Sequence, residues 1–404
     1  MDKDLPSHVS FPQDSAQRPC PACSRESGQR FYEVLGIPIH SCVLLDDPKQ
    51  AMDFPLGDLS LAHCPDCGFI YNDCFVAESL DYSSDYQESQ GASATFRAFL
   101  DDSARKLIER TDLRAATVLE IGCGYGDFLA KLASLGVGRV IGIDPSATAG
   151  QAPSAPPFEF RQKLYEGSDF DLPVKAIACR HTLEHLPAVD LFMAQARAHL
   201  ATVKGEYLFI EVPDVLRVLR EGAFWDLYHE HCSYFTQGSL ERLALGTGFA
   251  PDYLELVYAG QYLQLTARAV PGATEPPPRV DDRAAIQDAL ATFRSTCSTS
   301  LKRLGARILE MSKRGQGPTC LWGAGSKATG FLTTLGRGDL VAAVVDIDPA
   351  KQGKYVAGTG HPIIEPAALK TIAPALVLVM NPIYLDEIRS QLNELGIQAE
   401  VEAV

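Results

Sequence analysis

Short apolar runs, each closed by glycine or an acidic residue and followed by an amphipathic stretch, recur in two series along the chain. The first series opens with Thr117-Val-Leu-Glu120. It continues with Arg139-Val-Ile-Gly-Ile-Asp144 and Val174-Lys-Ala-Ile-Ala-Cys179, and ends with Glu206-Tyr-Leu-Phe-Ile-Glu211. Apolar runs this short, bounded by turn signals, predict strands buried on both faces, and stretches such as Phe128-Leu-Ala-Lys-Leu-Ala133 predict the helices that cover them. A helix over 240–245 behind a Thr236 cap and two strand-like runs at 252–258 and 261–268 complete this part. The second series has a strand at 319–322, a helix over 328–335, and strands in Val341-Ala-Ala-Val-Val-Asp346 and Leu376-Val-Leu-Val-Met380. Between the two lie a proline-rich linker at 270–282 and a long helix over 283–313, whose Ile286, Leu290, Phe293, Cys297, Leu301, Leu304 and Ile308 recur at helical spacing. Upstream, 81–116 predicts a helix carrying Phe96, Leu100 and Leu107. Short alternating runs such as Phe31-Tyr-Glu-Val and Val43-Leu-Leu predict a small β-rich lobe. The pattern is an α/β fold with a doubly wound parallel sheet. The expected units are an N-terminal lobe over 1–80, a central domain over 81–270, a linker and connecting helix over 271–316, and a Rossmann-like domain over 317–404.

Charge narrows the partners. The 36 basic and 51 acidic residues give a formal charge of −15, the opposite of the basic footprint that nucleic-acid binding requires. No apolar run approaches the roughly 20 residues of a membrane span, and the first residues show no secretory pattern. Eleven cysteines, an odd number in a long chain without an export signal, suggest thiol or metal chemistry in a reducing cytoplasm. The expected partner is a small molecule, with the oligomeric state open.

Two Cys-x-x-Cys knuckles, Cys20/Cys23 and Cys64/Cys67, offer four thiolates in the pairing that suits tetrahedral, structural zinc. The nearby His40, Cys42, His63 and Cys74 read as bystanders to that site. The loop Glu120-Ile-Gly122-Cys-Gly124-Tyr-Gly126 joins the first strand to its helix. Its glycines allow a tight turn and close approach of a ligand, and Asp144 at the end of the next strand suits ribose hydroxyls. A nicotinamide dinucleotide fits the same layout. Glu120, badly placed for a pyrophosphate but well placed for a cationic group, favours S-adenosylmethionine.

Arg180-His181-Thr-Leu-Glu-His185 follows another strand, at the edge where ligands of such sheets bind. His181 and His185 are four residues apart, as a metal pair would be, but no third ligand is evident; a buried hydrogen-bonded histidine is the alternative for His181. Tyr228-His229-Glu230-His231 crowds ionisable groups that perturb one another. An extended segment would put Tyr228 with Glu230, and a turn would put Tyr228 with His231. Gly323-Ala-Gly325-Ser326-Lys327 suits an anion, or is a tight turn without a ligand.

Taken in order, the paired knuckles, the glycine loop, Glu211-Val-Pro213 with Tyr228-His-Glu-His231-Cys-Ser-Tyr234-Phe235, and Trp322-Gly-Ala-Gly-Ser-Lys327 resemble the sugar C-methyltransferases that act on nucleotide-activated keto-deoxysugars in natural product biosynthesis. The resemblance runs from about 18 to 395. It implies a class I methyltransferase sheet with a small N-terminal zinc lobe and a C-terminal Rossmann-like domain. It assigns catalysis to His231 and Tyr228 with Glu230, His185 and Tyr86, with Tyr82 as the alternative to Tyr86. Arg180 and His181 would join Glu120, Gly122, Gly124, Gly126 and Asp144 around the donor, and Lys327, Ser326 and Asn381 would face the acceptor. The chain departs from the family around Tyr86 and over 36–58.

The residues themselves imply base-assisted methyl transfer to carbon, since an imidazole with a pKa of about 6.5 suits base work near neutrality. Methylation of oxygen or nitrogen in another small acceptor, and a non-catalytic nucleotide-binding module, are the alternatives.

Overall fold

A computed structural model of the 404-residue chain describes residues 5–76, 90–146, 157–270, 278–315 and 317–404. The first apolar series forms a seven-stranded sheet. Its strands run in the order Phe249–Val257, Tyr262–Ala269, Tyr207–Pro213, Ala176–Arg180, Thr117–Ile121, Arg139–Ile143, Phe158–Arg161. Pairing is parallel except on both sides of Tyr262–Ala269. That strand follows a tight reversal at Tyr258, Ala259 and Gly260, all with positive φ. The edge strand Phe158–Arg161 escapes a sequence reading because all four of its residues are only half-buried, so no apolar run marks it. The expected helix over 81–116 is shorter. Ser93 caps it and it runs Ala94–Thr111, with 77–89 outside the described residues.

The second series forms a five-stranded parallel sheet in the order Ile363–Ile364, Val341–Val345, Thr319–Trp322, Leu376–Val379, Glu400–Ala403. Both sheets place their first strand in the interior, with a glycine turn at its carboxyl end. They also share a device that the sequence does not advertise. Asp144 accepts from the backbone N–H groups of Gly124 and Ser146, each at 2.8 Å. Asp346 accepts from those of Ala324 and Asp348, also at 2.8 Å.

The N-terminal strands Val9–Ser10, Gln29–Pro38, Leu56–His63 and Ile70–Asn72 form an antiparallel sheet whose fifth strand, Ser233–Tyr234, comes from far along the chain. Leu44–Leu45 pairs with Tyr355–Val356 near the second parallel sheet. The segment 36–58 therefore bridges the lobe and the C-terminal unit. Behind the bridge, helix Arg283–Arg314 packs along helix Val215–Glu221 and against the lobe. Phe293 lies 5.3 Å from Tyr32 and 5.9 Å from Phe31, edge-on to both. Truncating so buried a ring to alanine costs about 3–5 kcal/mol. No helix among the described residues is long and apolar enough to cross a membrane.

Candidate active site

A cavity of about 650 Å³ opens where the carboxyl ends of both parallel sheets face each other, and both glycine turns line it. On one side Gly122, Gly124 and Gly126 have φ of +71°, +50° and +79°. A Cβ on Gly122 would lie 2.0 Å from Thr182 Oγ1, whereas one on Gly124 would meet nothing within 4 Å. Gly122 is thus required by packing, while Gly124 leaves room for a ligand against the backbone. Glu120 lies one residue before the end of the strand below. It is 2% exposed, and its Oε2 has no hydrogen-bond partner among the described residues. Burial pushes its carboxyl up to about 8, with Arg180 acting against that rise. An unpartnered carboxylate beside an open glycine turn fits a cofactor that brings its own positive charge, as S-adenosylmethionine does.

Arg180 and His181 are committed to Glu211, a residue absent from the sequence-derived candidates. Arg180 Nη2 donates to Glu211 Oε1 at 2.5 Å and its guanidinium lies 4.4 Å over the Phe128 ring. His181, with φ of +49°, brings Nε2 within 3.0 Å of the same oxygen. Burial opposes its charge, but Glu184 and Glu211 outweigh that and push it up to about 10. Glu211 also accepts from Gln264 Nε2 at 2.5 Å. Burial would raise its carboxyl, yet the Arg180 and His181 charges hold it at about 2. Both groups line the cavity while they stiffen its floor.

The Tyr228–His231 segment is a turn, which brings the rings of Tyr228 and His231 to 4.8 Å at 84°. His185 meets His231 at 4.7 Å and 89°. Burial pushes both imidazoles down to about 4. His231 is therefore neutral near pH 7, with its lone pair available, but it is a weaker base than an ordinary imidazole. The other two members of the segment point elsewhere. His229 Nδ1 sits 2.8 Å from the Asp58 carbonyl. Glu230 reaches His40 Nδ1 at 3.2 Å and accepts from the Ser41 N–H at 3.0 Å. Burial works against its charge, but the His40 bond and the neighbouring imidazoles keep it at about 2.

The opposite wall comes from the second sheet. Ser326 begins helix Ser326–Leu335, and Cys42 Sγ lies 3.5 Å from its Oγ. Lys327 is ion-paired with Asp226, which also binds Arg217 Nη2 at 2.6 Å and accepts from Tyr228 Oη at 3.1 Å. Burial lowers the Lys327 pKa, with Asp226 opposing. Asn381 Oδ1 accepts from Gln261 Nε2 at 2.9 Å and so ties the two parallel sheets together. Tyr86 lies outside the described residues.

Cys20, Cys23, Cys64 and Cys67 converge, with Sγ separations of 3.6 Å (Cys20–Cys67) and 3.7 Å (Cys23–Cys64). Zn–S bonds of about 2.3 Å in a tetrahedron require sulfurs roughly 3.8 Å apart, so the four thiols fit a metal ion.

His40, Ser41, Cys42, Asp226 and Glu211 were the residues that the sequence did not mark for these roles. Only the departure of 36–58 from the family pattern hinted at the first three. They sit in that segment, where Cys42 lines the cavity while His40 and Ser41 stand behind it on Glu230 and Thr329, and the pairing of Leu44–Leu45 with Tyr355–Val356 holds the segment against the C-terminal unit.

Residues 95–254 match a methyltransferase domain model, and 282–400 match a C-methyltransferase C-terminal domain model. C-methyltransferase NovU of Streptomyces niveus is 27% identical over 302 residues, covering 67% of each chain. Among solved structures, magnesium protoporphyrin IX methyltransferase of Synechocystis PCC 6803 with bound SAH overlaps 43% of this chain and 83% of its own, at 19% identity and a TM-score of 0.32. The 1,6-didemethyltoxoflavin-N1-methyltransferase of Burkholderia thailandensis overlaps 44% and 88%, at 19% identity and a TM-score of 0.33.

Proposed function

We propose that the chain is an S-adenosylmethionine-dependent C-methyltransferase, as its two matched domain models and its similarity to C-methyltransferase NovU support, and that it methylates a carbon beside a carbonyl of a nucleotide-activated keto-deoxysugar, with His231 as the base. The observation that carries this reading is that His231, Tyr228 and the Glu120–Tyr125 stretch of the glycine turn line one cavity.

The residues divide the work. Glu120, Gly122, Gly124, Gly126 and Asp144 hold the donor, with Arg180 and His181 fixing the floor beneath it. The bound donor supplies an electrophilic methyl on a sulfonium. His231, neutral and facing the cavity, takes the proton from the acceptor carbon, and that C–H electron pair moves into the carbonyl as an enolate. Tyr228 donates to the oxygen as charge develops there, exchanging its present bond to Asp226 for one to the acceptor, with Lys327 adding positive charge nearby. That support offsets the weakness of a base depressed to about 4. Glu230, held negative by His40 and Ser41, stabilises the imidazolium that forms. His185 lines the other side of the base. Tyr86 is proposed only from the family resemblance, and Ser326 and Asn381 would face the acceptor. The protein brings the partners together and excludes water.

The four-cysteine cluster would hold structural zinc within an N-terminal lobe over 1–80. The central methyltransferase unit over 81–270 and the C-terminal unit over 317–404, joined through 271–316, would enclose the acceptor. The acidic surface and the small-molecule cavity suit an enzyme of cytoplasmic biosynthesis that binds no nucleic acid.

Solvent deuterium exchange tests the chemistry. Incubated in D₂O with a panel of nucleotide-activated keto-deoxysugars, the protein should wash deuterium into the carbon beside the carbonyl of its acceptor. Methyl transfer without any such exchange, and with the new methyl on oxygen or nitrogen, would contradict it.

A further inference from the structure

The two histidines of the segment 181–185 are not used as a pair. His181 turns to Glu211 and to the Tyr262 ring, 4.6 Å away, and His185 turns to His231. Beside His185 lies Glu184, 2% exposed. Its Oε1 is 3.6 Å from His181 Nδ1, and its Oε2 has no hydrogen-bond partner among the described residues. A buried carboxylate oxygen left without a partner is costly and calls for a ligand. The donor atoms of Glu184, His185 and His231 all lie within 4.8 Å of one another. The two segments that carry them are tied together, because Ser233 Oγ donates to the Leu186 carbonyl at 2.9 Å. Their spacing therefore follows from the fold and not from free surface side chains.

We propose that Glu184, His185 and His231 form a second metal site, for a divalent transition ion such as Zn²⁺ or Co²⁺, and that an ion bound there blocks methyl transfer by taking the lone pair of His231. Two imidazoles and one carboxylate are a donor set for such ions. It is distinct in kind from the four thiolates of the N-terminal lobe, and it leaves a position open. Bonds of about 2.1 Å place donors roughly 3.4 Å apart, which small rotations of these side chains reach. His185 and His231 both line the cavity, so the open position faces the acceptor, and ion and acceptor exclude each other. The blocking effect rests on His231 being the base; the binding itself does not.

The test uses the full chain with its cysteine cluster loaded with zinc, titrated with Co²⁺. One further Co²⁺ per chain is expected. It should show ligand-field absorption without sulfur charge transfer, and two shifted imidazole N–H signals in the proton spectrum. Glu184→Gln and His185→Gln should each weaken that binding at least tenfold while retaining zinc. Methyl transfer should fall as the site fills and return with a chelator or excess acceptor, with adenosylmethionine affinity changed less than twofold. A wild-type chain that takes up no Co²⁺ outside the cysteine cluster, or variants that bind it unchanged, would overturn the site. Should His231→Asn lose Co²⁺ but keep turnover, the site stands and the base assignment falls. If wild type shows no Co²⁺ signals and His231→Asn is inactive, the reverse holds.

Discussion

Glu230 and His40 meet at 3.2 Å across 190 residues of chain, both buried. The contact joins the N-terminal lobe to the segment that carries the proposed base. Replacing His40 by alanine leaves Glu230 with only its Ser41 bonds, and a buried carboxylate stripped of one partner costs about 1–3 kcal/mol. His40→Ala should lower stability by that amount in urea titrations. It should reduce kcat at least tenfold while the affinity for adenosylmethionine stays within twofold. Equal losses in both would place His40 in general stability and not behind the base.

Gly122 and Gly124 should separate by substitution. Alanine at Gly122 drives a methyl into Thr182 at 2.0 Å and strains a φ of +71°. Gly122→Ala should therefore destabilise the fold by more than about 1 kcal/mol and weaken donor binding. At Gly124 the methyl meets open space within the fold. Gly124→Ala should cost only the roughly 1–2 kcal/mol of its left-handed backbone, less than Gly122→Ala, but it should lose donor affinity because its methyl occupies the approach to the backbone. Calorimetry of both variants decides the matter.

Removal of metal should act at a distance. Cys64 and Cys67 immediately precede Ile70–Asn72, which pairs with Ser233–Tyr234 just after His231. Loss of a structural zinc costs several kcal/mol and loosens that pairing. Chelation, or Cys64→Ser, should abolish methyl transfer and lower the Tm by more than about 5 °C. Measured zinc content would have to track both changes.

Glu120 sets a pH signature. Its carboxyl is raised from 4.5 to about 8 by burial. Between those values the folded chain holds a proton that the unfolded chain has lost. Its contribution to stability is thus complete below about pH 4.5 and declines as pH rises toward 8. A cationic donor bound beside it should favour the ionised carboxylate and release that proton. Titrating adenosylmethionine near pH 6.5 in buffers of different ionisation enthalpy should show release of up to about one proton. Glu120→Gln should show none.

Much of this architecture is legible in the sequence. The apolar runs predict both sheets because their strands are buried on both faces, and the cysteine spacing predicts the cluster that forms. The YHEH segment left two conformations open, and the fold takes the turn because Glu230 and His229 are drawn to the lobe at Ser41 and Asp58. His40, Ser41 and Asp226 could not be read from local pattern, since their contacts with Glu230 and Lys327 join residues 101 to 190 positions apart. The depressed pKa of His231 was equally hidden, because burial, not sequence neighbours, produces it.

The most direct measurement is methyl transfer by His231→Asn, with acceptors drawn from the nucleotide-activated keto-deoxysugars and adenosylmethionine affinity monitored in parallel. Removing a general base lowers turnover by about 10²–10⁴-fold. With His231 as the base, a loss of that size is expected with donor affinity unchanged, together with loss of solvent deuterium exchange at the acceptor carbon. Near-normal turnover and exchange in the variant would contradict it.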